Sequence, residues 1–212
     1  MKKSILAAAV LSAVTLSSCY GPVTESEEIA ASATNGNVTL SFSTWQQTDI
    51  TRAEDASLSD VASRLSVAVF DGDDRIRSIT QKAGDGAFGT VSVSLAAGTY
   101  LIVAVAHNST EGNATVSSPE KVTFASNKVS DTFAWCGSVT VTDEEPLSKP
   151  VTMNRVVAMV RFTLTETLPA EVGRIKFYYT GGSSTLNPST GYGSVNSRQT
   201  EYRDVVTADG LP

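Results

Sequence analysis

VSVSLAAGTYLIVAVA, residues 91–106, carries two apolar strands across one tight connection. Val91, Val93 and Leu95 alternate with Ser92 and Ser94, the period of a strand with one dry face and one wet face. After Ala97-Gly98-Thr99 the alternation almost vanishes, because Ile102, Ala104 and Ala106 are interleaved with Leu101, Val103 and Val105. A run that is apolar on both faces reads as a central strand buried on both sides. Gly98 tolerates positive φ, so it suits the turn. Tyr100 is placed to lay its ring on the rim of a sandwich and send its hydroxyl to backbone, as in a tyrosine corner. A structural tyrosine is preferred here to a binding one.

The same period of two extends outward in both directions. Val38, Leu40 and Phe42 alternate with Thr39, Ser41 and Ser43, and Leu65, Val67 and Val69 alternate with Ser66 and Ala68. Further strand-like runs cover 122–124, 132–141, 156–164 and 172–179. Between them stand turn signals: Asp71-Gly72-Asp73-Asp74, Gly84-Asp85-Gly86, the loop from Asn108 to Asn113, and Gly181-Gly182. Many short strands at this spacing predict an all-β chain folded as an antiparallel sandwich. The one helical stretch expected is Leu58 to Ser63, capped by Ser57 or Ser59.

Four segments follow. Residues 1–18 read as a bacterial lipoprotein signal, with Lys2 and Lys3 ahead of an apolar run and Leu16-Ser17-Ser18-Cys19 as the cleavage site. Cys19 is the candidate lipidation residue: its sulfur would take a diacylglyceryl group, and several acyl chains at ~0.8 kcal/mol per buried methylene make a durable anchor. An ordinary secretory signal with a chance cysteine is the alternative. Residues 19–36 are polar and aperiodic and predict a flexible tether, acidic through Glu25, Glu27 and Glu28. Residues 37–148 have the length of one sandwich. The charged, proline-bearing TDEEPLSKP (142–150) then suggests a boundary near Lys149-Pro150, leaving 149–212 as a partial C-terminal β domain with three or four strands. Such a segment either docks on the first body or belongs to something larger.

Composition narrows the function. The chain of 212 residues carries a net charge of −6, which argues against a nucleic-acid footprint. One histidine, His107, leaves nucleophilic catalysis without an obvious base, and a turn-capping role is expected for it. Zinc sites need His and Cys clusters that this chain lacks, and Asp71 to Asp74 reads as a hairpin turn rather than a calcium loop. No catalytic residue, metal site or cofactor is expected, and the chain is not expected to be an enzyme. With Cys19 lipidated, Cys136 has no disulfide partner and is expected to be a buried, inert thiol. An alternative of another class is a glycan- or protein-binding surface module, with Trp45, Tyr178, Tyr179 and Tyr192 as its aromatic platform. Trp45 and Tyr179 fall in predicted strands, which favours core packing for them.

LSVAVFD (65–71), GTYLIVAVAHNS (98–109), EKVTFASNKVSDTFAW (120–135), RVVAMVRFTL (155–164) and FYYTGGSSTLNPSTGYGSVNSRQT (177–200) together resemble the fimbrial subunits of Bacteroidetes type V pili, particularly the FimB-type anchor branch. The resemblance covers about Leu65 to Thr200. It implies Greek-key, transthyretin-like β-sandwich domains, a lipid anchor in the bacterial outer membrane, and a place at the cell surface in a fimbrium that supports adhesion. It also implies other fimbrial subunits as partners, joined by strand exchange in which a groove accepts a neighbour's strand, and contact with host or bacterial surface ligands. On this reading Val38, Leu40 and Phe42 lie in the strand that is exchanged. Arg52, in a polar stretch, is the candidate site of proteolytic processing, with a solvated loop arginine as the alternative.

Overall fold

The computed structural model describes residues 28–30, 37–49, 52–158, 162–166, 168–169 and 171–205. In chain order the elements are β1 (Glu28–Ala30), β2 (Val38–Asp49), β3 (Arg52–Ser57), α1 (Leu58–Val61), β4 (Arg64–Asp71), β5 (Asp74–Lys82), β6 (Thr90–Val93) and β7 (Gly98–His107). There follow β8 (Thr115–Ser118), β9 (Lys121–Thr123), β10 (Thr132–Val141), β11 (Leu147–Arg155), β12 (Arg174–Ser183), β13 (Thr185–Asn187), β14 (Tyr192–Gly193) and β15 (Asn196–Asp204). The chain is all-β, as its alternation predicts.

One layer is the antiparallel run β5-β4-β7-β10, with β7 and β10 paired along ten residues from Gly98 opposite Val141 to His107 opposite Thr132. The second layer is built on β2, with β11 on one side and β6 then β3 on the other. The chain crosses from β5 to β6 in the second layer and returns through β7, which inserts between β4 and β10. Those crossings give the Greek-key character. Strand β11 joins the layers: Asn154 and Arg155 pair with β10, whereas Leu147 to Met153 run parallel to β2. Among the described residues two pairings, β2 with β11 and β1 with β5, are parallel and the others antiparallel.

The doubly apolar run explains itself in three dimensions. Ile102, Ala104 and Ala106 of β7 face the core between the two layers, together with Leu40, Leu65, Val67 and Phe133. Val103 and Val105 face the opposite way, onto a second core roofed by Val116, Val122 and Leu186. That roof is a small third sheet, ordered β14-β13-β9-β8. A strand with cores on both faces cannot alternate in polarity. Tyr100 donates to the carbonyl of Ala96 at 3.1 Å, as the tyrosine-corner reading requires. Gly98, however, does not adopt positive φ. Its site is close-packed instead: a Cβ there would lie 3.2 Å from the Tyr100 hydroxyl, so the tyrosine would have to give by a few tenths of an ångström.

Other expectations move. Asp71 to Asp74 is a two-residue hairpin turn with Gly72 at φ 60°, as expected. The boundary expected at Lys149-Pro150 falls inside β11, which is hydrogen-bonded into the first body as far as Arg155. The strand expected over 156–164 does not form at its described residues. The Val156 amide donates to the carbonyl of Thr132, the first residue of β10, and between Val156 and β12 no described residue enters a strand. Alternation specifies a face, and a strand also needs a partner. The tether expected over 19–36 contains a strand, β1, whose Glu28, Ile29 and Ala30 lie parallel to Ser78, Ile79 and Thr80 of β5. The C-terminal segment touches the first body through β13, which pairs Thr185 and Leu186 with Thr123 and Val122 and buries Leu186. Strands β12 and β15 form a separate two-stranded ribbon.

Gly137 lies beneath Trp135, and a Cβ added there would lie 2.5 Å from the indole Cζ2. Gly137→Ala is expected to push the ring out and cost about 1–3 kcal/mol as an overpacking substitution. A red-shifted tryptophan emission together with a lowered denaturation midpoint checks this. Unchanged emission would show that the ring is not held there.

Candidate functional site

Strand β2 is held on both sides. From Val38 to Thr44 it pairs with β11, and from Val38 to Ser41 it pairs with β6. Where β6 stops, the Phe42 amide donates to the carbonyl of Gly89 at 2.7 Å, and from Ser43 the partner becomes β3. Val38 and Leu40 are fully buried and Phe42 nearly so, all on the inward face, while Ser41 is exposed on the other. The structure thus brings the three strand-exchange candidates together in one core cluster.

Polar groups that alternation does not reveal fix the strand in place. The Asn37 amide donates to the carbonyl of Leu95 at 2.7 Å and its Oδ1 accepts the Leu95 amide at 2.9 Å. Its backbone carbonyl accepts from Leu147 at 2.7 Å. One asparagine therefore extends the ladder by a step toward both neighbours. At the other end of the embedded segment, Thr44 Oγ1 donates to the Met153 carbonyl at 3.2 Å. Buried Gln81, on β5, holds the approach to β6: its Nε2 donates to the carbonyls of Ala87 and Thr90, and its Oε1 accepts the Gly89 amide. A buried amide must satisfy its donors and acceptor, and here the loop does so. Neither Asn37 nor Gln81 carries a sequence signal beyond being polar beside an apolar run.

Past Thr44, β2 continues without β11 and, among the described residues, pairs with β3 alone, out to Asp49 opposite Arg52. Arg52 is therefore the first residue of β3, at the end of a hairpin, rather than in an unpaired stretch. Its side chain and that of Trp45 lie outside the described residues, as does Cys19. The remaining aromatic candidates are distributed over two sheets. Tyr178 and Tyr179 are exposed on β12, and Tyr192, 76% exposed, is on β14. Tyr179 is thus not a core residue.

His107 closes β7 and is buried at 1% exposure. Its Nε2 accepts the Ala114 amide at 3.1 Å, while its ring meets Phe124 edge-on at 5.7 Å. With Arg64, which donates to the Ser109 carbonyl and to Asn113 Oδ1, it ties down the loop after β7. The turn-holding role expected of it is what the geometry supplies. Burial first, and the Arg64 charge second, lower its pKa to about 4. Cys136 is half-buried, and desolvation raises its pKa, which disfavours the reactive thiolate. Among the described residues, no three His, Cys, Asp or Glu side chains cluster as metal ligands, and no helix is long and apolar enough to cross a membrane.

Comparison with the curated proteins gives no match. Solved structures do resemble the chain. An adhesin-like protein of Bacteroides ovatus matches with a TM-score of 0.53 at 13% identity, over 77% of this chain and 61% of its own. A Bacteroides thetaiotaomicron protein described as polysaccharide-binding matches with a TM-score of 0.52 at 12% identity, over 77% of this chain and 63% of its own. The fimbrial anchor protein Mfa2 of Porphyromonas gingivalis aligns at 13% identity with a TM-score of 0.41, over 82% of this chain and 69% of its own. The chain spans less than two thirds of the first two structures, and at such identities these likenesses carry the fold alone. The family model for fimbrillin-A associated anchor proteins Mfa1 and Mfa2 matches residues 27–210, nearly the whole length. With that match added to the sandwich and its embedded second strand, the chain belongs to the family of fimbrillin-A associated anchor proteins.

Proposed function

We propose that the chain is a structural subunit or anchor of a fimbrium on the bacterial outer membrane, tethered through lipid at Cys19 and joined to other subunits by β-strand complementation. The observation that carries this reading is the position of β2. It is a strand with neighbours on both sides and its apolar side chains in the core, and it forms a hairpin whose second strand begins at Arg52. Taking β2 away would leave β11 facing β6 and β3 across an empty slot, all three with an unpaired edge. A foreign strand with apolar residues at alternate positions would restore these ladders and the core at once. Cleavage at Arg52 would sever β2 from β3 and separate the body from Cys19. An uncut chain would keep both the strand and the lipid. Adhesion is then a property of the assembled fimbrium.

The test uses the full chain in a fimbriated host. An alkyne-tagged fatty acid is expected to label the wild type and not Cys19→Ala, and unheated samples are expected to show oligomer ladders or co-purifying fimbrial protein. Persistent label in Cys19→Ala would overturn the lipid assignment. Absence of both ladders and fimbrial partners would overturn strand complementation.

A further inference from the structure

The ribbon of β12 and β15 has two unlike faces. On one, Ile175 and Phe177 are half-buried, and Phe162 packs on Phe177 with ring centroids 5.1 Å apart. That face is the more covered of the two. On the other, Arg174, Lys176 and Tyr178 of β12 alternate with Ile175 and Phe177, while Arg198, Thr200, Tyr202 and Asp204 occupy the same side of β15, with Arg174 directly opposite Asp204, Lys176 opposite Tyr202 and Tyr178 opposite Thr200. All seven are exposed, and the two tyrosines remain 54% and 53% exposed.

The charge of this ribbon runs against that of the molecule. Arg174, Lys176, Arg198 and Arg203 stand against Glu201 and Asp204 in the segment 174–204, whereas the whole chain carries 16 basic and 22 acidic residues. Both carboxylates are spoken for: Asp204 accepts from Arg174 at 2.7 Å, and Glu201 accepts from Arg203 on the inner face. Each tyrosine is flanked by a cation. The Arg174 guanidinium lies 5.5 Å from the Tyr202 centroid, and Lys176 Nζ lies 5.9 Å from that of Tyr178. A ring has two faces and its cation takes one. An exposed ring with a cation beside it can stack on the C–H face of a pyranose while the cation pairs with a carboxylate on the same sugar.

We infer that this outward face of β12 and β15 binds an acidic polysaccharide, with Tyr178 and Tyr202 stacking on sugar rings and Lys176 and Arg198 pairing with uronate carboxylates. The acidic character of the rest of the chain disfavours nucleic acid as the ligand, because a polyphosphate needs a far larger basic footprint. This inference goes beyond the fimbrial reading and does not depend on assembly.

The experiment is electrophoresis of the full chain, in non-ionic detergent, through native gels containing polygalacturonate, neutral dextran or no polymer. Retardation is expected in polygalacturonate and not in dextran, weakening as salt is raised. It is expected to fall about tenfold in Tyr178→Ala/Tyr202→Ala, to vanish in Lys176→Glu/Arg198→Glu, and to persist in Tyr178→Phe/Tyr202→Phe. Poly(dT) is not expected to compete. The variants should keep the wild-type melting curve, because none of these side chains is buried. Unretarded wild type, equal retardation in dextran, indifference to either double variant, or displacement by poly(dT) would each overturn the inference.

Discussion

In Leu40→Ala the unfolding free energy is expected to fall by about 3 kcal/mol, within the range for deleting a buried leucine whose site cannot collapse. Leu40 is fully buried on β2, and β2 cannot move in to fill the hole, because β6 and β11 hold its backbone at that position on both sides. Ser41→Ala, one residue on and facing out, is expected to change stability by no more than about 0.5 kcal/mol. Denaturant melts of the two variants, compared at equal m, check the contrast. Equal effects would mean that β2 is not an embedded strand, and the slot invoked for complementation would lose its basis. The same substitution bears on function, since weakening the resident strand should make the slot easier for a foreign strand to invade.

The second large effect is a loss of stability in acid, centred on His107. In the folded chain its pKa is about 4, against 6.5 for the free side chain. Between those values the unfolded chain binds a proton that the folded chain does not, so stability falls as pH falls from about 6.5 to about 4 and levels off below. A shift of this size corresponds to about 3 kcal/mol. The cause is visible in the contacts: protonating Nε2 would destroy its role as acceptor for the Ala114 amide and place a second cation beside Arg64 in a sealed site. Urea melts of the wild type at pH 7 and pH 4, paired with His107→Gln, isolate this contribution. The variant is expected to be less stable at pH 7 and to lose much less on acidification. Equal pH dependence of the two proteins would place the acid sensitivity elsewhere.

How much of this was legible beforehand depended on whether neighbours were implied by local pattern. The period of two in Val38 to Phe42, Leu65 to Val69 and Val91 to Leu95 identifies strands and their inward faces without further information. The hairpin at Asp71 to Asp74 is equally local, because Gly72 supplies the positive φ that the turn needs. The segment 156–164 shows the limit. Its apolar character is as strong as that of any strand in the chain, yet β10 ends level with Val156 and the described residues of the segment join no ladder. Lys149-Pro150 is the converse case: its charge and proline resemble a linker, but Pro150 sits opposite Ser41 in a paired strand. The groups that fix the candidate site, Asn37 and Gln81, act across 58 and up to nine residues of sequence respectively.

The sequence by itself determined the all-β class, the inward faces, and the two-sided burial of Leu101 to Ala106, because side-chain period reports which faces are dry. It also made Cys19 a candidate through the signal pattern beside it, whereas Arg52 became one only through the family resemblance. Only the tertiary structure decided that β11 bridges the two layers and runs parallel to β2, that Asn37 clamps both edges of that strand, and that the cations and tyrosines of β12 and β15 share one outward face. Pairing partners are chosen by backbone hydrogen bonds between segments far apart in the chain, and no local periodicity records which segment will meet which.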